Sequence, residues 1–197
     1  MEEKKVYIVL TDTGTLFTRI IKFYTRKPYN HASISYDTNL SEVYSFGRKK
    51  PRNPFIGGFV REDFNTELFK QSRVAIYCCT ISNHQLQRVN DYIKRMEKQK
   101  DLYRYNFIGL FGFILNKPIK RKNAYFCSQF VATVLKECDI IEFPKPLSLV
   151  TPHDLLESGD FQLVYQGMLT NFYADGIQEE MTKPKLNLFS VDTSFLA

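Results

Sequence analysis

The sequence predicts one globular domain that mixes β-strands with α-helices. Segments rich in β-branched and aromatic residues, such as Arg73–Ile81, are typical of buried strands. Other segments repeat apolar residues every three or four positions, which is the period of an amphipathic helix. The chain has 197 residues, of which 44% are hydrophobic, so it can form one substantial core. We predict a single domain over residues 1–170 and a polar tail without its own core over residues 171–197.

The N-terminal segment is predicted to form a strand followed by a helix. The strand covers Lys4–Thr11, where β-branched and aromatic residues are concentrated. Apolar residues at helical spacing predict the helix from about Gly14 to Thr25, and Pro28 ends it. The domain therefore begins with a strand–helix unit.

A β-hairpin is predicted from the next two segments, HASISY and SEVYSF, which flank a polar turn. We centre this turn on Thr38 and Asn39. Side chains alternate between the two faces of a strand, so this register places His31 on the same face as Glu42 and Tyr44. A carboxylate and a phenol are therefore predicted beside the histidine.

The middle of the chain is predicted to contain a loop, a strand and a long helix. Residues 48–59, RKKPRNPFIGGF, are rich in proline and glycine, so we predict a loop that borders the site. After the next strand, Ser82 and Gln85 form a capping box for a helix that extends to Lys100. The apolar residues 105–115, YNFIGLFGFIL, predict a packed helix or the wall of an apolar groove.

A second amphipathic helix is predicted to begin near Cys127, in the segment NAYFCSQFVATVLKECDI. Helix N-termini carry partial positive charge, and the basic residues 117–122, KPIKRK, precede this one. Both effects favour the thiolate, which is the nucleophilic form of cysteine. Cys138, inside the same apolar helix, has the position of a packing cysteine. We therefore predict Cys127 as a nucleophile. A short helix in SLVTPHDLLES and a last strand in FQLVYQGML complete the domain.

His31 is the predicted base. It lies on a strand beside the small residues Ala32 and Ser33, which leave room next to its ring. His84 and His153 fall in the first turn of predicted helices, where a polar residue needs no special role. A cysteine at a helix start together with a histidine on a strand is the arrangement of a thiol hydrolase.

The remaining site residues are predicted around this pair. A third group has to orient the base, and Glu42 and Tyr44 are both candidates. Tyr125 is a candidate donor to the oxyanion, alongside the backbone N–H of the nucleophile, and simple packing is its alternative role. Ser128, next to the nucleophile, is a candidate substrate-binding residue.

Composition restricts the classes of function. The net charge is +6, and the basic clusters at residues 47–52 and 117–122 are solvated loops or contacts to an anionic partner. The four cysteines lack CxxC spacing, so we predict free thiols in a reducing cytoplasm and neither zinc nor another cofactor. No segment reaches the roughly 18–20 apolar residues of a membrane span, and the N-terminus lacks the features of a secretory signal.

Three segments in this order, YNHASIS, EVYSFGR and YFCSQFV, resemble a known family. The resemblance is to the circularly permuted branch of the NlpC-type papain-like cysteine peptidases and amidases. This branch includes the YiiX-like hydrolases and is related to the lecithin:retinol acyltransferases. Its members carry the histidine before the cysteine, as here, and the resemblance spans Val6–Leu169.

The resemblance implies an α+β fold in which a central antiparallel sheet packs against the helix that carries the cysteine. It implies that Cys127 is the nucleophile and His31 the base. Relatives often place the third member, Glu or His, about a dozen residues after the histidine. Tyr44 is closest to that place in this sequence, with Glu42 one step along the same face.

The predicted function is a cytosolic cysteine hydrolase that acts on an amide, isopeptide or ester through an acyl-enzyme. A lipid acyltransferase or thioesterase at an anionic membrane surface is the first alternative, because apolar residues 105–115 lie beside basic residues 117–122. A catalytically inactive ligand-binding module of the same fold is the second. Nucleic acid is not predicted as a partner, because the basic clusters lack a recognition motif.

Overall fold

The computed structural model describes residues 3–12, 26–50 and 53–174. The helix predicted over residues 14–25 lies outside the described residues, as do residues 175–197 of the predicted tail. The described strands are β1 Lys4–Asp12, β2 His31–Ser35, β3 Val43–Lys50, β4 Asn53–Glu62, β5 Arg73–Ile81, β6 Arg104–Tyr105, β7 Ala124–Tyr125 and β8 Gln162–Met168. The described helices are α1 Glu67–Lys70, α2 Asn83–Lys98, α3 Phe107–Ile114, α4 Cys127–Glu137, α5 Asp154–Glu157 and α6 Leu169–Ala174.

Six strands form one antiparallel sheet in the order β4-β3-β2-β1-β5-β8, and β6 and β7 form a separate parallel pair. The predicted α+β class is therefore confirmed. Among the described helices, none combines the length and hydropathy needed to cross a bilayer. The predicted capping box is present, since Ser82 and Gln85 bond reciprocally at the start of α2.

The sheet carries apolar side chains on both faces. One face, with Ile8 and Ile34, packs against α2 and α4, which contribute Val89 and Phe130. The other face packs against α1 and α6. Phe172 of α6 is fully buried there, so the predicted boundary between residues 170 and 171 falls inside a packed helix.

The loop between β2 and β3 differs from the predicted turn. The strands pair Ser35 with Val43, so the loop covers residues 36–42. Asp37 organises it, because its carboxylate accepts the backbone N–H groups of Asn39 at 2.9 Å and Glu42 at 2.8 Å. The predicted turn centre therefore gave a register that is wrong by one residue. A shift of one residue moves every side chain of the partner strand to the opposite face.

The loop predicted over residues 48–59 is wrong, because residues 48–50 form the end of β3 and residues 53–59 form most of β4. Two glycines of β4 lie where neighbouring atoms leave no room for a Cβ atom. A Cβ atom at Gly57 would lie 2.8 Å from Cβ of Tyr105, and one at Gly58 would lie 2.5 Å from the carbonyl oxygen of Tyr103. The two glycines therefore allow the segment that carries Tyr105 to approach the sheet.

The pairing of β2 with β3 is short. Its described pairs are Ile34–Tyr44 and Ser35–Val43, at the loop end of the strands. Towards the other end, Ser45 Oγ donates to the carbonyl oxygen of Ala32 at 2.7 Å. The helix α4 packs against both strands. The N-terminus of α4 lies near Ala32. Ala32 has no partner in the described ladder between β2 and β3.

Candidate active site

Cys127 is the first residue of α4 and directly follows the Phe126 N-cap and strand β7. Its side chain lies inside the protein, with 4% of the residue exposed. The sulfur accepts hydrogen bonds from the backbone N–H groups of Ala32 and Ser128. The N-terminus of the helix and the part of β2 that has no described pairs with β3 therefore both direct donors at the thiol.

His31 begins β2 and connects the thiol to a carboxylate. Its Nε2 lies 2.6 Å from Oε1 of Glu62. The ring is also hydrogen-bonded to Cys127, and Nδ1 is the ring nitrogen left for that contact. The side chains of His31 and Glu62 are 13% and 5% exposed, so the pair is shielded from water. The imidazole is thus held between a thiol and a carboxylate.

Glu62 is the last residue of β4 and is itself held in place. Its second oxygen, Oε2, accepts a hydrogen bond from Ser33 Oγ at 2.5 Å. Ser33 and His31 are two residues apart on β2, and therefore share a face of the sheet. One carboxylate thus fixes two side chains of the same strand, and this restricts the rotation of the imidazole ring.

The charges in this cluster support one another. Burial alone would lower the pKa of His31, but the Glu62 carboxylate and the Cys127 thiolate raise it well above its usual value. Burial alone would raise the pKa of Cys127, but the imidazolium of His31 and two backbone N–H groups hold it below its usual value. The two shifts have opposite signs, and the attraction between the thiolate and the imidazolium contributes to both.

Tyr105 is a further contact of Cys127, and the sequence did not predict it. The parallel ladder between β6 and β7 pairs Tyr105 with Tyr125, just before Cys127. The Tyr105 hydroxyl is hydrogen-bonded to the Cys127 sulfur. Burial and then the neighbouring thiolate raise the pKa of Tyr105 well above its usual value. The phenol therefore stays protonated and acts as a donor.

The structure does not bring Glu42 or Tyr44 to His31, which corrects the predicted third member. The carboxylate of Glu42 lies 3.8 Å from the Arg61 guanidinium. Tyr44 pairs with Ile34, so it lies on the opposite face from His31. Its ring stacks between two other aromatic rings, those of Tyr36 at 6.2 Å and Phe59 at 5.8 Å. Both errors follow from the hairpin register, and the carboxylate that contacts His31 is that of Glu62, on β4 and not on the partner strand β3.

Tyr125 and Ser128 have packing roles in addition to their position beside Cys127. The Tyr125 ring contacts Phe46, with ring centroids 5.2 Å apart, so its packing alternative describes it better than the donor role. The Ser128 hydroxyl is buried and donates to the carbonyl of Val150 at 2.7 Å. The backbone N–H of Ser128, and not its side chain, is the group directed at the sulfur.

Glu62 and Tyr105 left only weak signals in the sequence. Glu62 ends the segment FVRE, whose strand character was obscured by two preceding glycines. Tyr105 is the first residue of an apolar segment, and its sequence neighbours do not indicate that it lies near Cys127. Only the pairing of β6 with β7 brings it there. A strand predicted over β4 would have placed Glu62 in the sheet, where it is a candidate neighbour of His31.

No family model matches the sequence, and no curated protein matches it. The resemblance to permuted papain-like enzymes therefore stays a prediction. In the described part of the chain, no three His, Cys, Asp or Glu side chains are grouped so that they could hold a metal ion. Function is accordingly inferred from the geometry around Cys127.

Proposed function

We propose that this protein is a thiol hydrolase that cleaves an amide, isopeptide or ester bond through a covalent acyl-enzyme. The observation that carries the proposal is the position of His31, which is hydrogen-bonded both to the Cys127 sulfur and to Glu62. A nucleophile, a base and a group that orients the base are the parts that such a reaction requires.

In the acylation step, the Cys127 thiolate attacks the carbonyl carbon of the substrate and forms a C–S bond. Negative charge moves from sulfur to the carbonyl oxygen. The donors directed at the sulfur, the backbone N–H of Ser128 and the Tyr105 hydroxyl, lie near the developing oxyanion and stabilise it. The imidazolium of His31 then gives its proton to the leaving amine or alcohol as the C–N or C–O bond breaks.

In the deacylation step, neutral His31 takes a proton from water, and the resulting hydroxide attacks the thioester carbonyl. The C–S bond breaks, the acid product leaves and the thiolate–imidazolium pair is restored. Throughout both steps Glu62 keeps the imidazole in one orientation through its contacts with His31 and Ser33.

The cysteines favour a reducing compartment. All four, Cys78, Cys79, Cys127 and Cys138, are free thiols. A mechanism that depends on a thiolate needs this state to persist. We therefore assign the activity to the cytoplasm and propose a small-molecule or peptide substrate with an amide or ester bond.

The proposal is tested by the pH dependence of alkylation at each cysteine, with iodoacetamide as reagent and mass spectrometry as readout. A free thiol with a pKa of about 8.5 is only about 0.3% ionised at pH 6. Because the pKa of Cys127 is lowered, its alkylation rate is expected to reach a plateau at a lower pH than that of an ordinary thiol. Below the lowered pKa the rate should fall, since the thiolate becomes protonated.

Cys79 and Cys138 are internal references for this experiment. Burial raises the pKa of both, to about 11 in Cys138, so their alkylation should still be increasing above pH 9. Cys79 is only half-buried, which makes it the more accessible of the two. The shape of each profile, unlike its absolute rate, does not depend on how easily the reagent enters. A Cys127 profile that coincides with the Cys79 profile would contradict the proposal.

Replacing Tyr105 with phenylalanine is expected to lower the acylation rate of Cys127 by about tenfold, the equivalent of one hydrogen bond of about 1.4 kcal/mol. The variant keeps the ring that packs against Gly57 and loses only the hydroxyl. Tyr125→Phe is the control, because Tyr125 is its ladder partner and its ring packs against Phe46. The rates are measured with p-nitrophenyl acetate. If the acylation rate fell equally in the two variants, the Tyr105 hydroxyl would have no specific role in the reaction.

A further inference from the structure

A basic cleft of about 510 Å³ lies beside α4. Its polar lining consists mainly of Lys120, Arg121, Gln129, Lys136, Lys145 and Ser148. The volume is within the range of small-molecule sites, which are about 300–1,000 Å³. The mechanism proposed above uses none of these side chains, so the cleft needs its own explanation.

The cleft lies on a different face of α4 from the nucleophile. Gln129, Thr133 and Lys136 are spaced four and three residues apart, so they share one face, and all three line the cleft. Two residues correspond to about 200° around an α-helix, so Cys127 is on nearly the opposite side from Gln129. The two sites therefore lie on different sides of one helix, and Tyr125, two residues before Cys127, is the lining residue that comes nearest to Cys127 in the sequence.

The cleft has an excess of positive charge. Lys136 Nζ is paired with Glu142 at 2.8 Å, and Lys145 Nζ with Asp154 at 2.9 Å. Lys120 and Arg121 also line the cleft, and no carboxylate among the described residues is paired with either. Two of the four lining cations are thus balanced and two are not. An anion with about two negative charges would complete the site.

Two buried polar atoms in the lining also lack a partner. Gln129 and Ser148 are 8% and 4% exposed, and neither Gln129 Oε1 nor Ser148 Oγ has a hydrogen-bond partner in the described structure. Both atoms have less than 1 Å² of accessible surface, so a ligand in the cleft bonds to them once the two side chains turn towards it. Buried polar groups are normally paired, and both residues line the cleft, so a ligand is the partner that would complete them. The serine hydroxyl can donate to an anionic oxygen, and the glutamine oxygen can accept from a hydroxyl group.

We propose that this cleft binds a phosphomonoester whose organic part carries a hydroxyl group. A phosphomonoester has a charge of about −1.5 to −2 at neutral pH, which matches the two unbalanced cations. Arg121 can bind two phosphate oxygens at once, while Ser148 donates to a third. The ligand hydroxyl pairs with Gln129 Oε1. This site does not depend on the proposed thiol chemistry.

The test is a calorimetric titration of the full-length protein with sn-glycerol 3-phosphate at low salt. Lys120→Gln/Arg121→Gln is expected to weaken binding at least about tenfold, because two charge-assisted contacts are lost. Lys117→Gln/Lys122→Gln removes the same charge from the same basic segment but from residues that do not line the cleft. This matched control should change the affinity less than about twofold.

Two single variants sharpen the result. Ser148→Ala removes a hydroxyl that has no partner in the protein, so binding should weaken by about three- to tenfold while the melting temperature without ligand does not fall. Cys127→Ala should bind sn-glycerol 3-phosphate like the wild type, since Cys127 is on the other face of α4. Failure of the thiol proposal would therefore leave this one intact, and the reverse also holds.

The source of the phosphate is distinguished with vesicles of phosphatidylcholine that contain phosphatidic acid, a phosphomonoester lipid. Flotation that is lost in Lys120→Gln/Arg121→Gln and kept in Lys117→Gln/Lys122→Gln, with no binding of the soluble ester, assigns the site to a lipid headgroup. Binding of the soluble ester with the same pattern of variants assigns it to a free phosphomonoester. The absence of saturable binding to both probes, equal losses in the two double variants, or full affinity in Ser148→Ala would overturn the proposal.

Discussion

The His31→Ala variant is expected to acylate Cys127 about a thousandfold more slowly than the wild type at pH 7, with p-nitrophenyl acetate as the substrate. The imidazolium is the charge that holds the pKa of Cys127 below its usual value, while burial opposes it. Without His31 only the opposing effect and the backbone donors remain, so the thiol is protonated at neutral pH. Release of p-nitrophenol gives the rate, and mass spectrometry identifies the acylated residue.

The pH dependence of this variant separates a missing base from a damaged fold. Hydroxide can replace the lost base, so the rate should rise steeply with pH and approach the wild-type rate in alkaline solution. A misfolded variant would stay slow at every pH. His84→Ala is the control, because His84 lies on the exposed first turn of α2. If His31→Ala retained the wild-type rate at pH 7, the reaction would not depend on a Cys127 thiolate that is stabilised by the His31 imidazolium.

Much of the fold follows from local patterns in the sequence. The strand Arg73–Ile81 and the capped helix that follows Ser82 were predicted because composition and period agree there. Cys127 was predicted at the start of a helix from the change between a polar lead-in and an apolar stripe, and α4 begins at this residue. These signals depend on neighbours in the chain, which is why a single sequence contains them.

The third member of the site depends on pairing between distant segments, which local patterns do not determine. The Asp37 loop shifted the β2–β3 register by one residue and moved Tyr44 away from His31. Gly57 and Gly58 made the sequence of β4 resemble that of a loop. In the structure they leave the space in which Tyr105 and Tyr103 pack against the strand. The first error has its cause in side-chain hydrogen bonds within the loop, and the second in tertiary packing. Together they concealed Glu62.

The same local structure explains why a buried thiol can be ionised. A thiolate with 4% exposure is stable only if fixed charges and donors replace its hydration shell. The short β2–β3 ladder leaves the Ala32 N–H for this purpose, and the start of α4 adds the Ser128 N–H. The imidazolium supplies the counter-charge and is itself balanced by Glu62. Removing Glu62 should therefore weaken the whole cluster and not only the orientation of the ring.

The Glu62→Gln variant is expected to lower the acylation rate about a hundredfold and to change the pH profile. The wild-type rate for substrates with poor leaving groups should rise with pH through the lowered pKa of Cys127 and fall through the raised pKa of His31. Glutamine has the shape of glutamate but no charge, so the pKa of His31 should decrease. The alkaline limb should consequently move to lower pH, and the pKa of Cys127 should increase because imidazolium is less stable.

Glu42→Gln is the matched control for this experiment, since it removes the same charge from a carboxylate that contacts Arg61 instead of His31. Its rate and its pH profile should stay within about twofold of the wild type, as expected for an exposed ion pair. Circular dichroism establishes that both variants are folded before the rates are compared. If Glu62 orients and charges His31, the lower acylation rate of Glu62→Gln should come with a shift of the alkaline limb of its pH profile. If the rate fell but both limbs kept their positions, Glu62 would act only on the packing of the site, and the charge relation among Cys127, His31 and Glu62 would be refuted.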